Sequence, residues 1–298
     1  MKGGPSMRVA VLTARPDLPV NRELVEAGER AGVAVEVLGA LALVGRAAPP
    51  AVWRLDEPLA LAGVAAVLPR VGSWRPDSVL AVLEAMLAAG VPSLNNPDPI
   101  RRGRDHWRTI GALAGAGVPH PETLAGVDPE RLAEAAARVL GFPCVIKARH
   151  SRQGVGVVRC TGRDQLDATL DAMFRLGEEA VVQRECRAGG VSRRVLVLDG
   201  TVLGATEHRA AAGEFRSNAA RGAGVAVVTI NGNLADLAVA AAAVLGLGFC
   251  GVDLFPDGER WVVGEVNPSP GWKHFAAATG IPVADAVLRA LVRRGGAA

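Results

Sequence analysis

Three oxygen-bearing side chains near the C-terminal end of the sequence could share one cation. Asp253 lies in one apolar run, and Glu265 and Asn267 lie two apart in the next. Period-2 alternation puts the last two on one face of a strand. Two carboxylates and an amide oxygen suit a hard cation such as Mg2+, which takes oxygen ligands and keeps water or substrate phosphates in its other positions. Register decides whether Asp253 joins them. A hairpin folded about Glu259 sets Asp253 opposite Glu265, with Cβ atoms about 5 Å apart. A two-residue turn at Asp257-Gly258 sends the two carboxylates to opposite faces. The metal reading therefore requires a wider turn, and Pro256, which cannot donate to a ladder, agrees with one. The competing reading is an ordinary hairpin with polar residues on its wet face.

A second constellation lies upstream. Pro143–Ala148 reads as a strand carrying one lysine, Lys147, in an apolar run. Such a lysine is costly to bury unless it meets an anion. The segment 150–156 follows as a loop with two glycines, and Val157–Cys160 returns as a strand. This hairpin could fold over phosphates with backbone N–H groups and one ammonium, or it is a surface hairpin with a snorkelling lysine. Arg209, Arg216, Asn218 and Arg221 crowd a polar stretch that reads as an ordered loop; guanidiniums gathered there can grip phosphate or carboxylate in pairs. Arg101, Arg102, Arg104 and Arg108 form either a phosphate-facing patch or a solvated face, which charge runs usually are.

The elements that must position these groups fall into three blocks. Strands at 7–13, 33–38 and 65–69 and one beginning at 91, with helices at 21–31 and 76–89, argue for an open parallel α/β domain over residues 1–95. Its first turn, TARPDLPVN, is not a dinucleotide fingerprint. The run Asn95-Asn96-Pro97-Asp98-Pro99 reads as a turn-rich joint. Residues 96–182 then hold a helix capped by Asp105, a helix at 129–140 capped by Asp128, the lysine hairpin, a helix at 164–174 and a strand at 180–183. Residues 183–298 hold a hairpin about Asp199-Gly200, a helix at 234–245, the Asp253 hairpin and a last helix at 282–293.

Bulk properties narrow the class. A chain of 298 residues can bury most of its unfolded surface without disulfides. Its four scattered cysteines read as reduced thiols of a cytoplasmic protein, with a Cys144–Cys160 disulfide as the alternative. The opening MKGGPSM lacks the apolar run of a signal peptide, and nothing reaches the length of a membrane span. With 33 basic and 30 acidic residues and no tyrosine, the chain argues against nucleic acid as a partner.

The order of the pieces carries more than any one of them. Lys147 in a strand, a Gly-containing loop, VVQRE, EFRSN with Arg221 downstream, then GVD and EVNPSPG together resemble the ATP-grasp superfamily, and within it the RimK-like glutamate ligases, over residues 96–290. The resemblance implies an ATP-grasp fold: an N-terminal pre-ATP-grasp α/β domain, a central lid-bearing domain and a C-terminal antiparallel-sheet domain. It implies a carboxylate–amine ligase that makes an amide through an acyl phosphate, with ATP, two Mg2+ ions (Mn2+ able to substitute), glutamate and a carboxylate acceptor as partners. Carried over by position, Lys147 meets the α/β-phosphates, and Ser151, Gln153, Gly154 and Gly156 close over the β/γ-phosphates. Gln183, Arg184 and Glu185 lie in the segment that holds adenine by backbone and ribose by a carboxylate. Arg216 and Asn218 face the acyl-phosphate region, Arg194 and Arg221 the substrate carboxylates, and Asp253, Glu265 and Asn267 the metal.

Four positions depart from that pattern. His106 stands where the family has a nucleotide-reaching lysine, so a cation is missing unless His106 is protonated or Arg104 or Arg108 substitutes. Ser192 replaces an acid, His150 a small lid residue, and the segment 185–191 is one residue short. The acceptor is expected to be a small molecule, a cofactor precursor of the pterin type or a peptide end; Trp272, after the PG of EVNPSPG, resembles the tryptophan of pterin-directed ligases, and residues 271–275 are expected to contact the acceptor. The alternatives are ligation of aminoadipate or glutamate to a carrier protein, as in lysine or arginine biosynthesis, a phosphotransferase that stops at a phosphorylated product, and an ATP-binding module without turnover. Many family members are dimers or tetramers, which leaves a homo-oligomer open.

Overall fold

The computed structural model describes residues 7–55, 57–150, 155–211, 214–215 and 223–296. The chain begins with β1 (Arg8–Thr13), α1 (Pro19–Ala31), β2 (Ala34–Gly39), β3 (Leu43–Arg46), β4 (Ala51–Arg54), β5 (Glu57–Pro58), β6 (Val64–Arg70) and α2 (Pro76–Ala88). Strands β2, β1 and β6 form a parallel sheet in that order. Val9 to Leu12 are fully buried, as expected of a strand covered on both faces. The expected strand from Val91 contributes one parallel bridge, Ser93 to Val67, because only its first residues run beside β6. The small antiparallel sheet β3-β4-β5 was not expected; its strands are too short to show a period.

The joint after residue 94 is not a loose linker. Pro97 opens a helix, α3 (Pro97–Arg104), followed by α4 (His106–Gly115). Asn95 is buried; its amide donates to Phe249 O (2.7 Å) and Pro268 O (3.0 Å) and accepts from Phe249 N (2.9 Å). One side chain thus ties the first domain to the last sheet, and a turn-rich composition could not reveal it.

The central block holds β7 (Thr123–Ala125), α5 (Pro129–Val139), β8 (Cys144–Ala148), β9 (Val157–Cys160), α6 (Arg163–Arg175) and β10 (Ala180–Arg184). Its sheet runs β7-β10-β8-β9, with α5 and α6 packed on one face. Asp128 caps α5 by accepting from Arg131 N, as expected. Cys144 and Cys160 face each other across β8 and β9 as free thiols.

The last block holds β11 (Val191–Leu198), β12 (Thr201–Arg209), β13 (Gly224–Val227), α7 (Gly232–Leu245), β14 (Phe249–Asp257), β15 (Arg260–Asn267), α8 (Lys273–Thr279) and α9 (Val283–Gly296). The sheet order is β13-β12-β11-β14-β15. Asp199 (φ 46°) and Gly200 (φ 72°) make the tight turn between β11 and β12 that their sequence predicts. Helix α7 buries an alanine-rich stripe against one face of the sheet. Helix α9 instead returns to the first domain. A Cβ on its Gly295 would lie 2.3 Å from that of Ala65. Val287, Leu288 and Leu291 join Val9, Val11 and Leu24 in one core with Phe249 and Trp272. No single helix among the described residues is long and apolar enough to cross a membrane.

Candidate active site

Strands β14 and β15 set the register on which the cation reading depends. Asp257 pairs with Arg260, so the turn is two residues, Gly258-Glu259, and the expected wider turn is absent. Yet Asp253 pairs with Glu265, and Gly251 with Asn267. The reconciliation is a bulge: Leu254 pairs with Val263, leaving Gly264 as an extra residue before Glu265. The one-residue shift that a wide turn would supply is supplied inside β15. Gly264 is the residue that permits it, because a Cβ there would lie 2.1 Å from Cε2 and 2.2 Å from Cδ2 of Phe255, whose ring crosses the gap. An isolated glycine inside a strand pattern, WVVGEVN, was the available signal.

Arg194 on β11 pairs with Asp253 from the other side. Its guanidinium forks onto the carboxylate, Nε to Oδ1 at 2.8 Å and Nη2 to Oδ2 at 2.6 Å. The Asp253 charge raises the Arg194 pKa further above its usual value, against the effect of burial. A bidentate fork orients a carboxylate and leaves its outer lone pairs for other partners. Asn267 accepts from Ser269 N at 2.9 Å, which fixes its amide. Lys147 on β8 lies close enough to these strands for the charges of Glu265 and Asp253 to act on it. Burial lowers its pKa, and the charges of Glu265, Cys186 and Asp253 act in the opposite direction. Burial pushes the Cys186 thiol up to about 11.

The donor set decides which ion could fit. Among the described residues no three His, Cys, Asp or Glu side chains converge to hold a metal. Asp253 and Glu265 supply two carboxylates opposite each other, and Asn267 an amide oxygen two residues along. Few protein oxygens with places left for water and phosphate is the Mg2+ pattern rather than that of zinc or a closed calcium site.

The root of the hairpin β8–β9 is anchored by a residue read from sequence only as a cap. Asp105 does cap α4, accepting from Trp107 N (3.0 Å) and Arg108 N (3.2 Å). It also accepts Nε of Arg149 at 3.0 Å on both oxygens and sits 3.7 Å from His150 Nε2. Burial opposes its ionisation, but the hydrogen bonds from His150, Arg149 and Arg108 hold its pKa well below the usual carboxylate range. His106 beside it is buried, and its pKa falls to about 3 through burial first and then the Lys147 charge. Protonated His106 therefore does not replace a missing lysine at neutral pH. Arg108 lies 3.5 Å from Asp105, and Arg104 donates to Val71 O at 3.1 Å. Arg101 meets Asp98, Glu84 and Asp77, and Arg102 donates to Val244 O. The four arginines point to different partners and do not form one phosphate-facing patch.

At the end of β10 the candidate side chains are already engaged. Gln183 donates to Thr123 Oγ1 (2.9 Å), Arg184 pairs with Asp257 (2.8 Å), and Glu185 accepts Nε of Arg159 at 2.9 Å on both oxygens. A cavity of about 510 Å3 opens here, lined by His120, Glu122, Arg184, Arg187, Asp257, Gly258 and Arg260; Asp253, Glu265 and Asn267 are not among its lining residues. Gly156 (φ 69°) turns the chain into β9. Ser151, Gln153, Gly154, Arg216, Asn218 and Arg221 lie outside the described residues.

Trp272 overturns its expected role. It is fully buried, its indole N–H donates to Glu23 of α1 at 2.6 Å, and Arg70 lies 4.7 Å over its ring. Phe275 is buried as well. Trp272 is an interdomain wedge, closed to any acceptor, because the first domain covers what the sequence leaves open.

Comparison with known proteins agrees with this architecture. A RimK pre-ATP-grasp domain model matches residues 7–100, and a RimK-like ATP-grasp domain model matches residues 103–291. A probable alpha-L-glutamate ligase of Stutzerimonas stutzeri is 34% identical over 293 residues, 97% of each chain. Among solved structures, the ATP-grasp ligase PsnB bound to a minimal precursor superposes with a TM-score of 0.74 at 20% identity, over 97% of this chain and 99% of that one. A RimK domain ATP-grasp protein of Sphaerobacter thermophilus gives 0.72 at 23% identity, over 96% and 99%. The chain belongs to the RimK-like ATP-grasp family of carboxylate–amine ligases, enzymes that use ATP and Mg2+.

Proposed function

We propose that this enzyme joins the amine of L-glutamate to a carboxylate on an acceptor, with ATP converted to ADP and phosphate. The observation that carries the reading is the bulged register that sets Asp253 opposite Glu265, with Lys147 within reach of both charges. The whole-length relatives named alpha-L-glutamate ligase support glutamate as the added residue. The acceptor carboxylate takes the γ-phosphoryl group, ADP leaves, and the glutamate amine attacks the acyl carbon, expelling phosphate and losing a proton. Lys147 stabilises charge on the nucleotide phosphates, and Arg194 holds Asp253 in its ligating orientation. Asp253, Glu265 and Asn267 would hold Mg2+, two ions in this reading with Mn2+ able to substitute; the ion supplies charge neutralisation at the phosphoryl oxygens. By position, Arg216 and Asn218 face the acyl phosphate, and Arg194 and Arg221 lie near the substrate carboxylates. Gln183, Arg184 and Glu185 line the nucleotide segment, which holds adenine by backbone and ribose by a carboxylate in this reading, with Ser151, Gln153, Gly154 and Gly156 over the phosphates.

A peptide end is the favoured acceptor. The pterin reading rested on Trp272, which is buried, whereas PsnB is described with a precursor peptide. The test is ADP release with Mg2+-ATP, glutamate and a panel of peptide and small carboxylate acceptors, with products weighed by mass spectrometry. Glutamate-dependent ADP and a product heavier by one glutamyl residue are expected; ADP release indifferent to glutamate under every acceptor overturns the reading. Lys147→Met should weaken ATP binding by roughly 10- to 100-fold, the effect of removing one charge-assisted hydrogen bond.

A further inference from the structure

The loop after β6 has a surface that the proposed chemistry does not use. Trp74 is 60% exposed, a large apolar side chain left in water. Arg75 lies 5.6 Å over its ring and meets no carboxylate among the described residues. Arg75 is also held at φ 40°, ψ 55°, a left-handed conformation that side-chain-bearing residues rarely adopt. Such strain collects at ligand clamps when the surroundings enforce it. The end of β6 that leads into this loop is held: Val71 N donates to Ser269 Oγ (3.1 Å), Arg70 Nη1 donates to Pro270 O (3.0 Å), and Arg104 holds Val71 O. The root of the loop that presents Trp74 is therefore tied to the NPSPG segment just beyond Asn267.

Position adds to composition. Open α/β sheets bind ligands beyond the carboxyl ends of their strands, and Trp74 stands beyond the end of β6. Two residues, Gly72 and Ser73, separate it from Val71, a span of at most about 10 Å. Ser269, which holds Val71, is two residues past Asn267, so the loop carrying Trp74 borders the proposed metal site along the chain.

We infer that Trp74 and Arg75 form a distal acceptor subsite, which takes a flat or apolar group of a peptide acceptor on the indole and an adjacent carboxylate on the guanidinium. The subsite rests on the ligase reading and specifies its substrate as an extended acidic peptide. Ser269 and Arg70 hold the two halves in register. The lone guanidinium selects an anion and the indole face selects apolar surface; the pair together selects a residue sequence rather than a charge alone.

The experiment uses the full chain and synthetic acceptors: free glutamate, an Ala-Ala-Ala-Glu peptide, and an Asp-Phe-Ala-Glu peptide. The unaltered enzyme should favour the Asp-Phe peptide through KM. Trp74→Ala should raise that KM about tenfold, with kcat, the KM for ATP and the KM for the shortest acceptor unchanged. Arg75→Gln should abolish the preference of the Asp-Phe peptide over the Ala-Ala peptide. Equal KM for the two peptides in the unaltered enzyme, or a Trp74→Ala effect spread evenly over all acceptors and ATP, overturns the subsite while leaving the ligase reading intact. Absence of glutamate-dependent ADP with any acceptor overturns both.

Discussion

Replacing Gly264 with alanine tests the site at its least obvious point. The added methyl would lie 2.1 Å and 2.2 Å from two carbons of the Phe255 ring, where carbon–carbon contact is favourable near 3.5–4.0 Å. Either the ring retreats by about 1.5 Å or the bulge is lost. A retreating ring gives up packing, an overpacking cost of about 1–3 kcal/mol. At roughly 2–4 °C per kcal/mol for a chain of this size, the melting temperature should fall by several degrees. Loss of the bulge does more. It slips β15 by one residue from position 264 onward and turns Glu265 away from Asp253. Mn2+ binding, read by electron paramagnetic resonance, should then weaken about 10- to 100-fold, the scale on which misplaced supports degrade a metal site. Phe255→Ala in the Gly264→Ala background removes the obstacle and should recover most of the Mn2+ affinity, though not the lost packing. A Gly264→Ala protein that melts and binds Mn2+ like the parent would refute the argument, as would a double variant that recovers nothing.

Three further outcomes follow from the geometry. Asp105→Asn should loosen the root of the β8–β9 hairpin and weaken ATP binding. Because folding lowers the Asp105 pKa, the parent's stability from this group is present above the ordinary carboxylate pKa of about 4 and is lost as pH falls below it; urea midpoints measured downward from pH 5 should drop more steeply for the parent than for the variant, and parallel curves would count against the anchor. Trp272→Phe removes the indole bond to Glu23 and should cost about 1–3 kcal/mol of stability with acceptor KM unchanged; a raised acceptor KM at unchanged stability would restore Trp272 to the substrate site. His106, with its pKa near 3, should show no imidazole titration by NMR between about pH 5 and 8, and a midpoint inside that range would reinstate it as a cation at the nucleotide.

Much of the architecture is local and was therefore legible. Asp105 and Asp128 cap their helices, Gly32 and Gly246 end theirs in left-handed conformations, and Asp199-Gly200 turns its hairpin. Each depends on a few adjacent residues whose backbone preferences do not await the rest of the fold. The order of Lys147, EFRSN and EVNPSPG carried the family for the same reason. Side chains that act at a distance were different. Turn chemistry alone counted the β14–β15 register from the hairpin tip, and it failed because a phenylalanine ring nine residues away shapes the bulge at Gly264. Arg149 on Asp105 and Arg194 on Asp253 join residues 44 and 59 apart in the chain. Trp272 carries the type and position of a ligand contact, but packing of α1, β6 and Phe249 around it makes it core. Amino-acid order thus determined which elements form and which chemistry is present. Only close packing between elements decided which charges pair, which aromatic is sealed and which, at Trp74, is left facing water, since those outcomes belong to contacts between segments and not to any segment by itself.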